Sequence, residues 1–274
     1  MNTQAFLNGR TALITGSVQG IGLAIATAMA TAGARVALHG LAAPEQVEAA
    51  IEIMRQAGAP DVRFFPGDLR DAGAITGLMT AVSQWTGGQG GPDILINNAG
   101  IQKTVSFSEI TDDIWTDLIT VNLTGAFRTM RLALPQMARR GYGRVINIAS
   151  VHGLVASTDK GPYVAAKHGL IGLSKVAALE YARAGTRDSG GVTVNCICPG
   201  WTETALIEPQ ILSRAASLGG DRVAGIASLL ADKQPTQRLS APSEIGLLSL
   251  WLTSPLAHNI TGTAIPIDGG WTAQ

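Results

Sequence analysis

The stretch TALITGSVQGIG, residues 11–22, runs a short apolar strand directly into three closely spaced glycines, Gly16, Gly20 and Gly22, and then into a helical pattern. Glycine tolerates a tight turn and lets the main chain approach a phosphate closely. The helix start behind it offers unpaired amides and the positive end of a dipole. The spacing is G-x-x-x-G-x-G, not G-x-G-x-x-G, so the logic of a dinucleotide-binding turn is present in different lettering. The loop is also compatible with a tight strand-to-helix turn that binds nothing.

Outward from this turn the same alternation continues. TALIT (11–15), RVALHG (35–40), VRFFPGD (62–68), DILINNAG (93–100), GRVINIAS (143–150), VTVNCICPG (192–200) and GTAIPIDGG (262–270) read as strands. Their near-continuous apolar character suits strands covered on both faces. The segments between them carry helical period, and several end at glycine. Strand and helix alternate without a linker, a repeat or a shift in composition. The pattern predicts an α/β chain with one doubly wound parallel sheet, forming a single domain over residues 1–274. Only residues 201–240 break the rhythm: a strand is missing and helical pieces replace it. A long excursion after a strand's C-terminal end is positioned to cover a ligand crevice, so this segment is expected to form a helical lid.

Composition narrows the possibilities. Of 274 residues 46% are hydrophobic and 15% charged, with 20 basic against 20 acidic side chains. That balance provides no basic field for nucleic acid. The N-terminal stretch MNTQAFLNGR has no apolar signal region, and there is no unbroken run of ~18 apolar residues, so no membrane association is expected. Cys196 and Cys198 lie two apart in one strand, a poor disulfide geometry. They read as buried thiols, pointing to a reducing, cytoplasmic location. No metal-ligand cluster is visible.

The end of the second strand, ALHGLAAPEQ, is where an acidic side chain would hold a ribose 2′-hydroxyl or an arginine would accept a 2′-phosphate. Neither is present, and Ser17, Val18 and Gln19 in the glycine turn are uncharged as well. A dianionic 2′-phosphate has no partner here, which favours NAD. His39 reads either as a contact to the adenosine or as a structural histidine.

The stretch ASVHGLVASTDKGPYVAAKHG (149–169) gathers the titratable groups. Ser150 closes a strand at the edge where ligands bind. Tyr163 and Lys167 stand at i and i+4, on one face of a helix. A phenol ordinarily titrates near pH ~10. A nearby ammonium, together with the positive ring of an oxidised nicotinamide, would favour the phenolate. Such a tyrosine can take a proton from an alcohol or return it to a carbonyl, while the serine hydroxyl bonds the reacting oxygen. Alone, the tyrosine and lysine could equally decorate an amphipathic helix.

Taken together, the glycine turn, NNAG (97–100), Asn122, Ser150, Tyr163, Lys167 and PG (199–200) closely resemble the short-chain dehydrogenase/reductase family over essentially the whole chain. The resemblance implies a Rossmann-type sheet and a nicotinamide cofactor. It makes Tyr163 the acid/base and Ser150 the group that polarises the substrate oxygen. Lys167 would bind the nicotinamide ribose and depress the tyrosine pKa, and Asn122 would anchor a water in a proton relay. The cofactor contacts implied are Gly16, Ser17, Gln19, Gly20, Ile21 and Gly22 around the phosphates, and Asp68 and Leu69 at the adenine. Asn98, Ala99 and Gly100 would lie along the ribose, and Pro199, Gly200, Thr202 and Thr204 near the nicotinamide, which Tyr163 and Lys167 also touch.

HGLVAS with Lys160, NNAGIQ, CPGW and DGGWTAQ are similar to the D-3-hydroxybutyrate dehydrogenase branch. This implies hydride transfer between NAD and (R)-3-hydroxybutyrate or acetoacetate. The substrate-binding set would be Gln102, Ser150, His152, Lys160, Trp201 and Gln210, with Lys160 as the cation for the carboxylate. An NADP-dependent 3-oxoacyl reductase would need a basic residue near the glycine turn. A dinucleotide-binding sensor would lack the tyrosine or the lysine. Glu203 is unwelcome beside an anionic substrate unless it faces solvent, and His168 should face away from the reaction side. The polar segment 184–195 reads as an exposed turn. The resemblance further implies a homo-oligomer, tetramer or dimer, through the helical stretches 112–141 and 163–184. The apolar C-terminus DGGWTAQ is expected to be buried against another subunit. Related enzymes can carry a structural metal near that end, but no ligand cluster for it is seen here.

Overall fold

The computed structural model describes residues 5–88 and 90–273. The first four residues of the N-terminal stretch discussed above and Gln274, the last residue of DGGWTAQ, lie outside them.

The seven expected strands form one sheet: β1 (Thr11–Ile14), β2 (Arg35–Gly40), β3 (Val62–Pro66), β4 (Ile94–Asn97), β5 (Tyr142–Ile148), β6 (Gly191–Pro199) and β7 (Ala264–Ile267). Their order is β3-β2-β1-β4-β5-β6-β7, and every neighbouring pair is parallel. Alternation within the strands divides the interior into two cores. Ala12, Ile14, Ile94 and Ile96 face one layer, while Leu13 and Leu95 face the other. Both layers are covered by helices, which explains the unbroken apolar lettering of the central strands.

The first layer holds α1 (Gly20–Thr31), α2 (Pro44–Gln56) and α9 (Pro242–Thr253). The helices α1 and α9 approach so closely that a Cβ on Gly246 would meet the Ala24 carbonyl oxygen at 2.8 Å. The second layer holds α3 (Ala72–Trp85), α5 (Gly125–Arg140) and α6 (Gly161–Tyr181). The stretch expected as one helix over 112–141 is divided. It begins as α4 (Asp112–Ile119), widens into a π turn at Thr120–Thr124 and continues as α5. Such single-turn widenings often mark functional positions, and this one carries Asn122.

Residues 201–240 add no strand to the sheet and contain α7 (Glu208–Ala216) and α8 (Arg222–Ala231). A single parallel bridge between Thr202 and Ser240 closes the base of the excursion. Its apolar side chains form a separate cluster, in which Trp201, Ile207, Ile211, Leu229 and Leu230 pack with Val151 and Trp271. The tryptophan of DGGWTAQ, Trp271, is buried within its own chain at 6% exposure. Of the segment 184–195 expected as an exposed turn, residues 184–190 are largely exposed and held by Ser189 Oγ donating to the Gly141 carbonyl (2.7 Å), whereas 191–195 belong to β6, with Val192–Asn195 buried. Cys196 and Cys198 are buried free thiols. No helix among the described residues is long and apolar enough to cross a membrane.

Candidate active site

Chain order reverses between β1 and β4, and a cleft of about 560 Å³ opens there along the C-terminal edge of the sheet. Gly16, Gln19, Gly20, Ile21 and Gly22 form one wall. Gly16 and Gly20 both have positive φ, +63° and +57°, where a side chain would be strained. A Cβ on Gly22 would run into the Gly16 carbonyl oxygen. No side chain caps α1, so its first-turn amides are left for a ligand. Asn98 ties the turn to the end of β4, its Nδ2 donating to the carbonyls of Thr15 (2.9 Å) and Gly16 (2.8 Å).

Ser17 differs from its neighbours. It is fully buried and does not line the cleft; its Oγ instead accepts from the His39 main-chain N–H at 2.9 Å. His39 lines the cleft with both ring nitrogens buried and unpartnered among the described residues, and burial lowers its pKa to about 4. A neutral imidazole with open hydrogen-bonding positions suits an adenosine group, so the residues present fit a dinucleotide. Asp68 and Leu69 line the same end. One cation, missed by reading only the end of β2, reaches it from after β3. Arg70 lines the cleft, yet its guanidinium is bonded to Asp68 and to Asp117, each at 3.0 Å.

At the other end stand Ser150, Tyr163 and Lys167, all nearly inaccessible to solvent and all lining the cleft. Ser150 stands two residues past the end of β5, and α6 presents Tyr163 and Lys167 from one face. Burial pushes the Tyr163 phenol up to about 12, with a hydrogen bond from Ser150 acting against it. Lys167 donates to the Ile148 carbonyl at 2.8 Å and lies 5.5 Å from the centre of the Tyr163 ring. Burial lowers its pKa to about 8. The expected depression of the tyrosine by Lys167 is therefore not seen in the protein alone: desolvation of the phenolate dominates, and only the Ser150 hydrogen bond acts against it.

His152 is buried, and burial, reinforced by the charges of Lys160 and Lys233, lowers its pKa to about 4. Gln102, His152 and Trp201 line the cleft, as do Asn98, Ala99, Gly100, Pro199, Gly200, Thr202 and Thr204. Lys160 and Gln210 do not. They meet each other just beyond it, Lys160 Nζ donating to Gln210 Oε1 at 3.2 Å. Burial, and then the charge of Lys233, lowers the Lys160 pKa to about 8. Glu203 is exposed and turns toward Arg222, 3.9 Å away, leaving the cleft free of its charge. His168 is exposed and bonds the Val164 carbonyl, away from the cleft.

A model of the family described as short chain dehydrogenase matches residues 10–213, a span that includes the glycine turn, Ser150, Tyr163 and Lys167. The chain belongs to the short-chain dehydrogenase family. A D-beta-hydroxybutyrate dehydrogenase of Cupriavidus necator is 43% identical over 269 residues, covering 98% of this chain and 100% of that protein. One from Rhizobium meliloti is 42% identical, covering 97% and 99%. Among solved structures, L-sorbose reductase of Gluconobacter frateurii, complexed with NADPH and L-sorbose, superposes with a TM-score of 0.90 at 27% identity over the full length of both chains. Levodione reductase gives 0.86 at 30% identity, covering 97% and 99%.

In this short-chain dehydrogenase Asn122 lies under the cleft instead of lining it. Its Nδ2 donates to the carbonyls of Ile101 and Leu118, both at 2.9 Å, and its Oδ1 accepts from the Ile101 N–H at 3.3 Å. The side chain clamps the loop that follows NNAG on both polar groups of one residue. Sequence reading missed Trp271 as a cleft residue. It stacks near Trp201 (5.5 Å) and meets the His152 ring edge-on (5.4 Å). A tryptophan four residues past a strand carries no local signal of the fold-back that brings it there.

Proposed function

We propose that this chain is an NAD-dependent dehydrogenase that interconverts (R)-3-hydroxybutyrate and acetoacetate. The observation that carries the reading is the meeting of Ser150, Tyr163, Lys167 and His152 at one end of a single cleft, with the Lys160–Gln210 pair just beyond it. Identity of 42–43% to two D-beta-hydroxybutyrate dehydrogenases over nearly the whole chain supports the substrate.

The nicotinamide supplies hydride exchange when bound, and the protein supplies everything else. Tyr163 takes the proton of the substrate hydroxyl in oxidation and returns it in reduction. Ser150 donates a hydrogen bond to the same oxygen as charge develops on it. Lys167 holds the nicotinamide ribose, and its ammonium favours the phenolate once a positive ring is also present. Asn122 fixes the loop at Ile101 and supports a water-mediated proton path. Lys160 provides the cation for the carboxylate, with Gln102 and Gln210 adding hydrogen bonds, His152 backing Ser150 at this end of the site and Trp201 forming a wall. Residues 201–240 act as the lid that excludes water. NAD is favoured because the Arg70 charge is consumed by Asp68 and Asp117, and no other cation stands at the end of β2. Exposed apolar side chains on α5 and α6, among them Phe127, Val176 and Leu179, support assembly into a dimer or tetramer.

The test is an absorbance assay of the reduced nicotinamide with NAD and NADP over a panel of short 3-hydroxy acids. Turnover of (R)-3-hydroxybutyrate with NAD is expected. Preference for NADP with 3-oxoacyl thioesters would replace the proposal with a reductase, and no turnover with nucleotide still bound would indicate a sensor.

A further inference from the structure

Lys233 lies just past the C-terminal end of α8, outside the cleft and half-buried. Its ammonium donates to Ser157 Oγ at 2.6 Å and sits 5.2 Å from the centre of the Trp271 ring. Ser157 belongs to the loop before α6, and the same oxygen lies 2.9 Å from His152 Nε2. His152 in turn faces Ser150: its main-chain N–H donates to Ser150 Oγ at 3.1 Å, and its Nδ1 is 3.5 Å from that oxygen. Four side chains therefore form a line from the 201–240 segment to the hydroxyl at the reaction centre.

The protons along this line can be counted. An ammonium only donates, so one lone pair of Ser157 Oγ is taken by Lys233. Ser157 has a single proton, and His152 Nε2 is the only other side-chain polar atom hydrogen-bonded to it among the described residues. The oxygen keeps a second lone pair, but the positive charge of Lys233 on this side of the ring favours the acceptor end of the imidazole facing it, so the Ser157 hydroxyl donates to Nε2. A neutral imidazole that accepts at Nε2 carries its proton on Nδ1. Burial and two neighbouring lysines hold the ring neutral. Nδ1–H and the main-chain N–H then both point at Ser150 Oγ, which leaves the Ser150 proton facing Tyr163 and the cleft. The opposite tautomer would put a lone pair on Nδ1, draw the Ser150 proton toward the histidine and remove it from the reacting oxygen.

We propose that Lys233 is a positioning residue that acts through Ser157 to hold His152 in its Nδ1-protonated tautomer, and thereby aims the Ser150 hydroxyl at the substrate oxygen. This rests on the reading of Ser150 given under Proposed function. It also gives the 201–240 segment a role beyond covering the cleft: the donor that sets the tautomer arrives with the segment.

The experiment compares wild type with Lys233→Met, Lys233→Arg, Ser157→Ala and the Lys233→Met/Ser157→Ala double variant. It measures kcat and KM for (R)-3-hydroxybutyrate and records nitrogen-15 spectra of histidine-labelled protein, assigned with His152→Gln. Lys233→Met is expected to lower kcat by ~10- to 100-fold while KM changes by less than about twofold. In the spectra the His152 proton should move from Nδ1 toward Nε2. Arginine at 233 should restore both readouts, and the double variant should lose no more than Ser157→Ala alone. A rise in KM at unchanged kcat would make Lys233 a carboxylate contact and overturn the proposal. So would an Nδ1-protonated His152 in Lys233→Met. The spectra need no substrate, so they test the tautomer even if the hydroxybutyrate assignment fails.

Discussion

Lys160 donates to the Oε1 of Gln210 across fifty residues of chain, joining the N-terminal end of α6 to α7 in the excursion over the cleft. The ammonium is buried and carries an amide rather than a carboxylate as its partner. No salt bridge neutralises its charge among the described residues. Replacing Lys160 with alanine should raise KM for 3-hydroxybutyrate by roughly 10- to 150-fold, the equivalent of a charge-assisted hydrogen bond of about 1.5–3 kcal/mol, and leave KM for NAD nearly unchanged. Burial also sets a pH signature. Because Lys160 titrates near 8, it loses charge as pH rises through that value, and KM for the acid should climb above it. Initial-rate measurements across pH should show this climb in wild type and a flat profile in Lys160→Ala. Equal effects on both substrates would remove Lys160 from the carboxylate site.

Tyr163→Phe tests the acid/base role with minimal change in shape. The phenol oxygen is lost, while the ring and its edge-on contact with His152 (6.0 Å) are kept. Turnover should fall by ~10³-fold or more, since no other titratable hydroxyl lines this end of the cleft among the described residues. Nucleotide affinity, followed by fluorescence titration, should be preserved because the glycine turn is untouched. Residual activity close to wild type would exclude Tyr163 as the proton carrier.

Much of the fold and of the candidate site was legible because each depends on local periodicity. The strands of a parallel sheet are covered on both faces, so TALIT, DILIN and VTVNCICP are apolar without alternation. Tyr163 and Lys167 fall on one face because four residues make about one helical turn. Contacts closed by distant segments were not legible. Trp271 reaches His152 through a fold-back after β7, and Arg70 enters the cofactor cleft from β3 although the sequence rule looks only at β2. The π turn at Thr120–Thr124 has no signature in a stretch that reads as continuous helix.

The end of β2 offers a gain-of-function test of nucleotide choice. Leu41 lines the cleft there and is 67% exposed, so a longer side chain meets no packing barrier. Leu41→Arg supplies the missing partner for a 2′-phosphate and should lower KM for NADP by at least ~10-fold, with a smaller effect on NAD. Steady-state kinetics with both nucleotides measure the ratio. If wild type already uses NADP as well as NAD, the argument from absent cations fails.

Two buried histidines predict how stability responds to acid. His39 and His152 have folded-state pKa values near 4, against about 6.5 for an exposed imidazole, and desolvation is the leading cause in both. Above pH 6.5 neither the folded nor the unfolded chain protonates them, so they do not make stability depend on pH. Between 6.5 and 4 the unfolded chain binds protons that the folded chain refuses, so stability falls as pH falls. A shift of this size corresponds to as much as about 3 kcal/mol per histidine by the time pH reaches 4. His39→Leu removes one contribution and also relieves two unpartnered buried nitrogens, so it should flatten roughly half of this slope without weakening the protein at neutral pH. Urea unfolding at a series of pH values between 4 and 7 reads the slope directly. A slope unchanged by His39→Leu would mean that the imidazole is protonated in the folded protein.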